Sequence, residues 1–208
     1  MLQFITNTAS RVPVTQQILD VIEGGCRWVQ IRMKEASDDD IRAVFHAIRE
    51  KARETETIVI INDRVHLARE LGPEGVAGVH IGKSDMLPIK AREFLGPQAI
   101  IGVTANTFDD ILAVRSLDID YIGMGPYADT RTKENLAPIL GLDGIAQLCV
   151  RMDEESIEIA RVAVGGIKET DVAPLLKAGV NGVAVSGAIA NADDIAEATR
   201  RFISLTPY

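Results

Sequence analysis

Cysteine is scarce in this chain of 208 residues: Cys26 and Cys149 stand far apart, without the close spacing of metal ligands. Both read as small buried residues, and a reducing compartment, the cytoplasm, is the expectation. No stretch approaches the ~20 consecutive apolar residues of a membrane span. The chain enters the strand-like Gln3-Phe4-Ile5-Thr6 with no charged leader before an apolar run. Neither a membrane partner nor a targeting segment is therefore expected. An excess of cations is also missing. Lys and Arg number 22 against 30 Asp and Glu, a formal net charge of −8. A nucleic-acid partner would need a basic footprint that this balance does not supply. Low-complexity tracts and literal repeats are absent too.

What the chain does have is alternation. Eight short β-branched runs, near residues 3–7, 28–33, 58–62, 78–82, 100–104, 121–125, 161–165 and 182–186, are separated by longer amphipathic segments. The helical spacing is clearest from Asp38 to Lys51, where Ile41, Val44, Phe45 and Ile48 share a face and three aspartates occupy the first turn. Ser37 is the expected N-cap, and Gly24-Gly25 the C-cap of the helix before it. Ile58-Val59-Ile60-Ile61 and Val162-Ala163-Val164 are apolar on both faces, as strands buried between an interior and a helical layer must be. Eight such units make a single (β/α)8 TIM barrel over residues 1–208, with short bottom loops because the chain is short for that fold. A doubly wound sheet of fewer strands is the alternative. The charged stretch 151–158 reads as a solvated helix end and the turn before the seventh strand.

In such a barrel the chemistry sits at the C-terminal ends of the strands. Gln30, Arg32 and Lys34 alternate at the end of the second strand, so a period of two sends all three to one face. Three polar side chains on one face of a buried strand are costly unless they line a ligand-filled mouth. Asn62-Asp63 follows the third strand and Asp85 the fourth. Taken alone, each carboxylate reads as a helix cap or surface residue; beside cations, they suggest Mg²⁺ bridging a diphosphate. Thr130-Arg131-Thr132-Lys133, in the long connection 124–142, adds hydroxyls and a cation. Gly165-Gly166 and Ser186-Gly187 follow the two strands that build the recurrent phosphate site of this fold. Arg64 and His66 read as exposed residues of the next helix, and His80 as a packed or supporting histidine. Two anion subsites in one mouth suggest group transfer between phosphorylated small molecules, with pyrophosphate departing.

The set VQIRMK (29–34), INDR (61–64), GVHIGKSD (78–85), DYIGMGP (120–126), TRTK (130–133), GL (141–142), VGGI (164–167) and GVAVSGAI (182–189) closely resembles the thiamine-phosphate synthase family over nearly the whole chain. The resemblance implies coupling of hydroxymethylpyrimidine diphosphate to a thiazole phosphate, or its carboxylated form, giving thiamine monophosphate and pyrophosphate. It implies that Gln30, Arg32, Lys34, Asn62, Thr104 and Lys133 hold the pyrimidine diphosphate, with Arg32, Lys34 and Lys133 acting on the departing group. Asp63 and Asp85 would bind Mg²⁺, and Thr130, Thr132, Gly166, Ser186 and Gly187 the thiazole phosphate. The implied reaction is dissociative, through a pyrimidine carbocation captured by the thiazole nitrogen. Two departures stand out: Thr104-Ala105-Asn106 replaces the family's frequent Ser-x-His, and Ser186-Gly187-Ala188-Ile189 its Ser-Ala-Ile. A related thiazole tautomerase and a non-catalytic thiamine-phosphate binder are the alternatives. The first needs no diphosphate site, the second no metal pair, and the sequence leaves room for a homo-oligomer.

Overall fold

The computed structural model describes residues 1–129 and 138–206. Eight parallel strands, β1 (Leu2–Ile5), β2 (Trp28–Ile31), β3 (Ile58–Asn62), β4 (Val76–Ile81), β5 (Ile100–Ala105), β6 (Tyr121–Met124), β7 (Ala160–Val164) and β8 (Gly182–Val185), pair in sequence order. β8 returns to β1, with Leu2 opposite Val183 and Phe4 opposite Val185, and closes the barrel. Each of the eight runs read from the sequence overlaps one strand. The helices alternate with them: α1 (Val14–Glu23), α2 (Asp38–Glu54), α3 (Val65–Leu71), α4 (Pro88–Leu95), α5 (Phe108–Val114), α6 (Gly141–Glu154), α7 (Glu169–Lys177), a short α8 (Gly187–Ala190) and α9 (Ile195–Leu205).

Local chemistry explains the elements. Ser37 caps α2 by accepting from the Asp40 N–H, and the Asp40 carboxylate answers by accepting from the Ser37 N–H at 2.9 Å. Such a reciprocal cap is worth about 1 kcal/mol. The predicted face of α2, Ile41, Val44, Phe45 and Ile48, is buried, with Ala52 added one turn further on. Gly24 ends α1, and Gly25 follows at φ 97°. α6 ends at Glu154, so the charged stretch after it forms the turn into β7. Both cysteines are buried, and burial pushes the Cys26 thiol up to about 11, so it stays protonated and unreactive.

The strands divide the apolar residues between two cores. Outward-facing Phe4, Ile31, Ile61, Ile101 and Ile122 pack beneath the helices in one continuous layer. Inside the barrel, Trp28, Ile60, Tyr121, Val162 and Ala184 form a separate cluster. Above it, toward the strand C-termini, the inward positions become polar, which sets the functional end of the molecule. Glycines within the strands make room in this interior. A Cβ on Gly102 would fall 2.1 Å from Tyr121 Cζ and 2.4 Å from its hydroxyl; one on Gly123 would lie 3.1 Å from His80 Cε1.

That crowding predicts that Gly102→Ala destabilises the fold by about 1–3 kcal/mol, the usual cost of overpacking a core, because the Tyr121 ring cannot withdraw from the barrel interior. Urea denaturation of both proteins measures it, and an unchanged midpoint would show that the interior yields freely.

Candidate active site

One open cavity of about 1010 Å³ occupies the C-terminal mouth of the barrel. Gln30, Arg32, Lys34, Asn62, Asp63, Asp85, Thr104, Gly166, Ser186 and Gly187 all line it, so these sequence-predicted residues are brought together from β2, β3, β4, β5, β7 and β8. Thr130, Thr132 and Lys133 lie outside the described residues.

On the β2 side the period of two holds. Gln30 is 2% exposed and its side-chain amide nitrogen has no hydrogen-bond partner. A buried donor left unmade costs about 1–3 kcal/mol, a cost relieved when a ligand supplies the acceptor. Arg32 is locked at its backbone by Thr6, whose hydroxyl accepts from the Arg32 N–H at 2.8 Å and donates to its carbonyl at 3.0 Å. Burial lowers the Arg32 pKa and the neighbouring Asp63 opposes that shift. The loop that carries Lys34 is clamped by Arg64, which corrects its reading as a surface residue. Its guanidinium is half-buried, pairs with Asp38 at 2.8 Å and donates to the carbonyls of Lys34 and Ala36. His66 is exposed and meets the other Asp38 oxygen at 2.6 Å.

The carboxylates are not spent on helix caps. Arg64 occupies the N-cap position of α3 with no side-chain cap, while Asp63 before it sits at φ 63°, left-handed backbone rare outside glycine. The bend is held by the Asp63 N–H donating to the His80 carbonyl at 2.8 Å and the Arg64 N–H to that of Asn62 at 2.7 Å. It turns the Asp63 side chain onto Asp85, itself fixed by accepting from the Gly82 N–H at 2.8 Å. Burial, and then a hydrogen bond and repulsion from Asp85, raise the Asp63 pKa to about 6, against the pull of Lys34 and Arg32. Two carboxyls turned on one another are oxygen ligands already gathered, a fit for a hard divalent cation. Among the described residues no group of three or more His, Cys, Asp or Glu side chains gathers to hold a metal.

Opposite, the Ser186 hydroxyl is buried without a partner at the end of β8. Gly165 and Gly166 have φ of 100° and 69°, and a Cβ on Gly166 would lie 2.6 Å from the Asp129 carbonyl. Glycine here therefore also admits the β6–α6 connection, whose Tyr127 and Ala128 N–H groups donate to the carbonyls of Val164 and Gly165 at 2.9 Å. α8, directly after Ser186, has four residues, a short extra helix of the kind that follows the last strand in the recurrent phosphate site of this fold.

The contacts of several mouth residues escaped the sequence reading. Asn7 continues the inward period of β1 from Gln3 and Ile5; fully buried Gln17 of α1 brackets its backbone at 3.0 and 2.8 Å. Lys83 meets Asp110 at 2.7 Å, tying the Asp85 loop to α5. Asn106, noted above as a departure from the resembled motif, donates to the Gly125 carbonyl at 2.5 Å, so its amide ties β5 to the connection after β6. The alternating inward positions could have revealed Asn7; the other contacts depend on loop conformation.

The family model described as thiamine monophosphate synthase matches residues 2–189. A thiamine-phosphate synthase of Bacteroides thetaiotaomicron is 43% identical over 204 residues, covering 98% of this chain and 96% of the relative. One from Clostridium botulinum is 35% identical over 176 residues, 85% of this chain and 82% of the relative. The solved thiamine phosphate pyrophosphorylase of Pyrococcus furiosus superposes with a TM-score of 0.85 at 28% identity, covering 99% of this chain and 94% of that one.

The carboxyl pair generates a pH prediction. Folded Asp63 keeps its proton to about pH 6, while the unfolded chain releases it near 3.8. Between those values the folded state binds more protons, so stability contributed by protonated Asp63 falls as pH rises and is lost above about 6. In metal-free buffer the melting temperature of the wild type relative to Asp63→Asn should therefore decline from pH 4 to pH 6 and then level. A difference that grows with pH would rule out a retained proton on Asp63.

Proposed function

The chain belongs to the thiamine monophosphate synthase family, and on that premise we propose that it is a transferase joining hydroxymethylpyrimidine diphosphate to a thiazole phosphate or its carboxylated form. The products are thiamine monophosphate and pyrophosphate. The observation that carries this reading is the one mouth in which cations and paired carboxylates on β2–β4 face a buried, unpartnered hydroxyl on β8. An anionic leaving group and an anionic acceptor can be held on opposite walls of such a cavity.

In this reading the Gln30 amide and the Thr104 hydroxyl orient the pyrimidine diphosphate, and Asn62 adds a further polar contact. Arg32 and Lys34, with Lys133, fix positive charge where the departing pyrophosphate gains negative charge. Preorganised charge of this kind stabilises the transition state without a protein nucleophile. Asp63 and Asp85 would hold Mg²⁺, which when bound would supply positive charge to offset that of the diphosphate. Gly166, Ser186 and Gly187, with Thr130 and Thr132, seat the thiazole phosphate so that its ring nitrogen faces the pyrimidine carbon as the C–O bond breaks. Excluding water at that moment protects the cation from capture as the alcohol. The substrates are small phosphorylated molecules. Among the described residues no helix is long and apolar enough to cross a membrane, and the two buried thiols suit a reducing compartment such as the cytoplasm.

Pyrophosphate release on mixing the chain with both substrates and Mg²⁺ is the direct test. Binding of both ligands in calorimetry with no pyrophosphate would make the protein a binder instead. Two variants should fail differently. Asp63→Ala should lose activity that excess Mg²⁺ partly restores, because Asp85 and the diphosphate still offer ligands. Lys133→Ala should lose about 10²- to 10³-fold in kcat, unrelieved by metal, the scale of deleting one preorganised donor. Steady-state kinetics across a Mg²⁺ series checks both, and a fully active Lys133→Ala would remove that lysine from the reaction.

A further inference from the structure

A chain of polar side chains crosses the barrel interior and rises to the mouth, which His80 and Thr104 line. Gln3 Nε2 donates to the Tyr121 hydroxyl at 3.1 Å; that oxygen lies 2.9 Å from His80 Nδ1, and His80 Nε2 lies 3.0 Å from Thr104 Oγ1. Gln3 and Tyr121 are buried, 2% and 3% exposed. The chain has been given space. His80 lies opposite Gly102 in the β4–β5 register, and Gly102 opposite Tyr121 in the β5–β6 register. The missing side chain at Gly102 is therefore what allows the tyrosine to reach across β5 to the histidine. Gly123 leaves the matching room beside the imidazole. In a barrel interior, hydrocarbon side chains would fill this volume with no polar groups to satisfy.

The order of donors gives the chain a direction. An amide NH₂ group only donates, so the tyrosine oxygen accepts from Gln3 and its own hydrogen is left for His80 Nδ1. Each imidazole nitrogen has a single in-plane site; with Nδ1 accepting, the neutral ring carries its proton on Nε2 and donates to Thr104. The threonine oxygen is thereby engaged as an acceptor, and its O–H remains to point into the cavity. Burial raises the Tyr121 pKa, which keeps the phenol protonated at the centre of the relay.

We propose that Gln3, Tyr121 and His80 are positioning residues that present Thr104 to the pyrimidine diphosphate as a hydrogen-bond donor. This rests on the reading that the mouth binds that substrate. The chemistry demands such a polarity: diphosphate oxygens and pyrimidine ring nitrogens are acceptors. A threonine offering lone pairs would repel them, most strongly as negative charge builds on the leaving group. None of the three positioning residues needs to touch the substrate.

The test reverses the relay. Gln3→Glu places an accepting carboxylate at its start, so Tyr121 would donate to the glutamate, His80 Nδ1–H to Tyr121, and Thr104 O–H to His80 Nε2, turning lone pairs toward the cavity. Tyr121→Phe breaks the relay while keeping the ring. Each variant should lower kcat/KM for the pyrimidine diphosphate about tenfold, the scale of one hydrogen bond, and leave KM for the thiazole phosphate within about twofold. In a Thr104→Val background, where the relay has no output, neither change should cost further activity, although any loss of melting temperature should persist. This non-additivity separates positioning from a merely structural role. If Gln3→Glu fails to fold, Tyr121→Phe completes the same cycle. Wild-type kinetics in both variants, or equal losses with and without the Thr104 hydroxyl, would overturn the proposal while the wild type still couples its substrates. A wild type that releases no pyrophosphate would overturn the underlying reading of function instead.

Discussion

Closure of the strand ring is the constraint on which everything else depends. The β8–β1 pairing leaves no free sheet edge, and with it every strand is forced to show alternate residues to an interior that helices cannot reach. That interior has a bottom filled by Trp28, Ile60, Tyr121, Val162 and Ala184 and a top that opens to solvent. Polar residues at inward positions gather at the top, or pair with one another beneath it as Gln3 and Tyr121 do. Gln30, Arg32, Asn62, Thr104 and Ser186 occur at the top because closure leaves them nowhere else to go.

Within this mouth, an acidic chain builds a locally cationic surface. The formal charge of −8 is spread over an exterior rich in ion pairs, many well exposed, such as Arg42 with Asp39 and Glu70, or Arg49 with Glu74. Such pairs add little stability individually and leave the distant field screened. Arg32, by contrast, meets half-buried Asp63 where charges interact more strongly, with exposed Lys34 acting on the same carboxyl from the rim. The site's electrostatics are therefore set by four or five groups at short range, and the global charge bears chiefly on solubility.

Much of this was legible in the sequence because it depends on period and on strand ends. The eight runs, the capped α2 and the inward set Gln30, Arg32 and Lys34 need no knowledge of which strand neighbours which. Arg64 was misread because its partners include backbone carbonyls about thirty residues earlier, which have no sequence signature. Asn106 was visible as a departure from the family, but its bond to the Gly125 carbonyl requires the path of the loop. The Gln3–Tyr121–His80 chain spans β1, β6 and β4 and depends on register, which short apolar strands do not encode locally.

The interlocking of Gly102 with Tyr121 bears on how this sequence can drift. Shrinking the tyrosine first would open a cavity beside a glycine too small to fill it, and enlarging the glycine first would drive a methyl group into the ring. Either single step lowers stability before the second can restore it. The pair thus behaves as a ratchet in sequence space: a lineage that has acquired both is held there by packing, so retention of the aromatic ring across descendants would not by itself be a record of selection for chemistry, whereas retention of its hydroxyl, which packing does not require, would be.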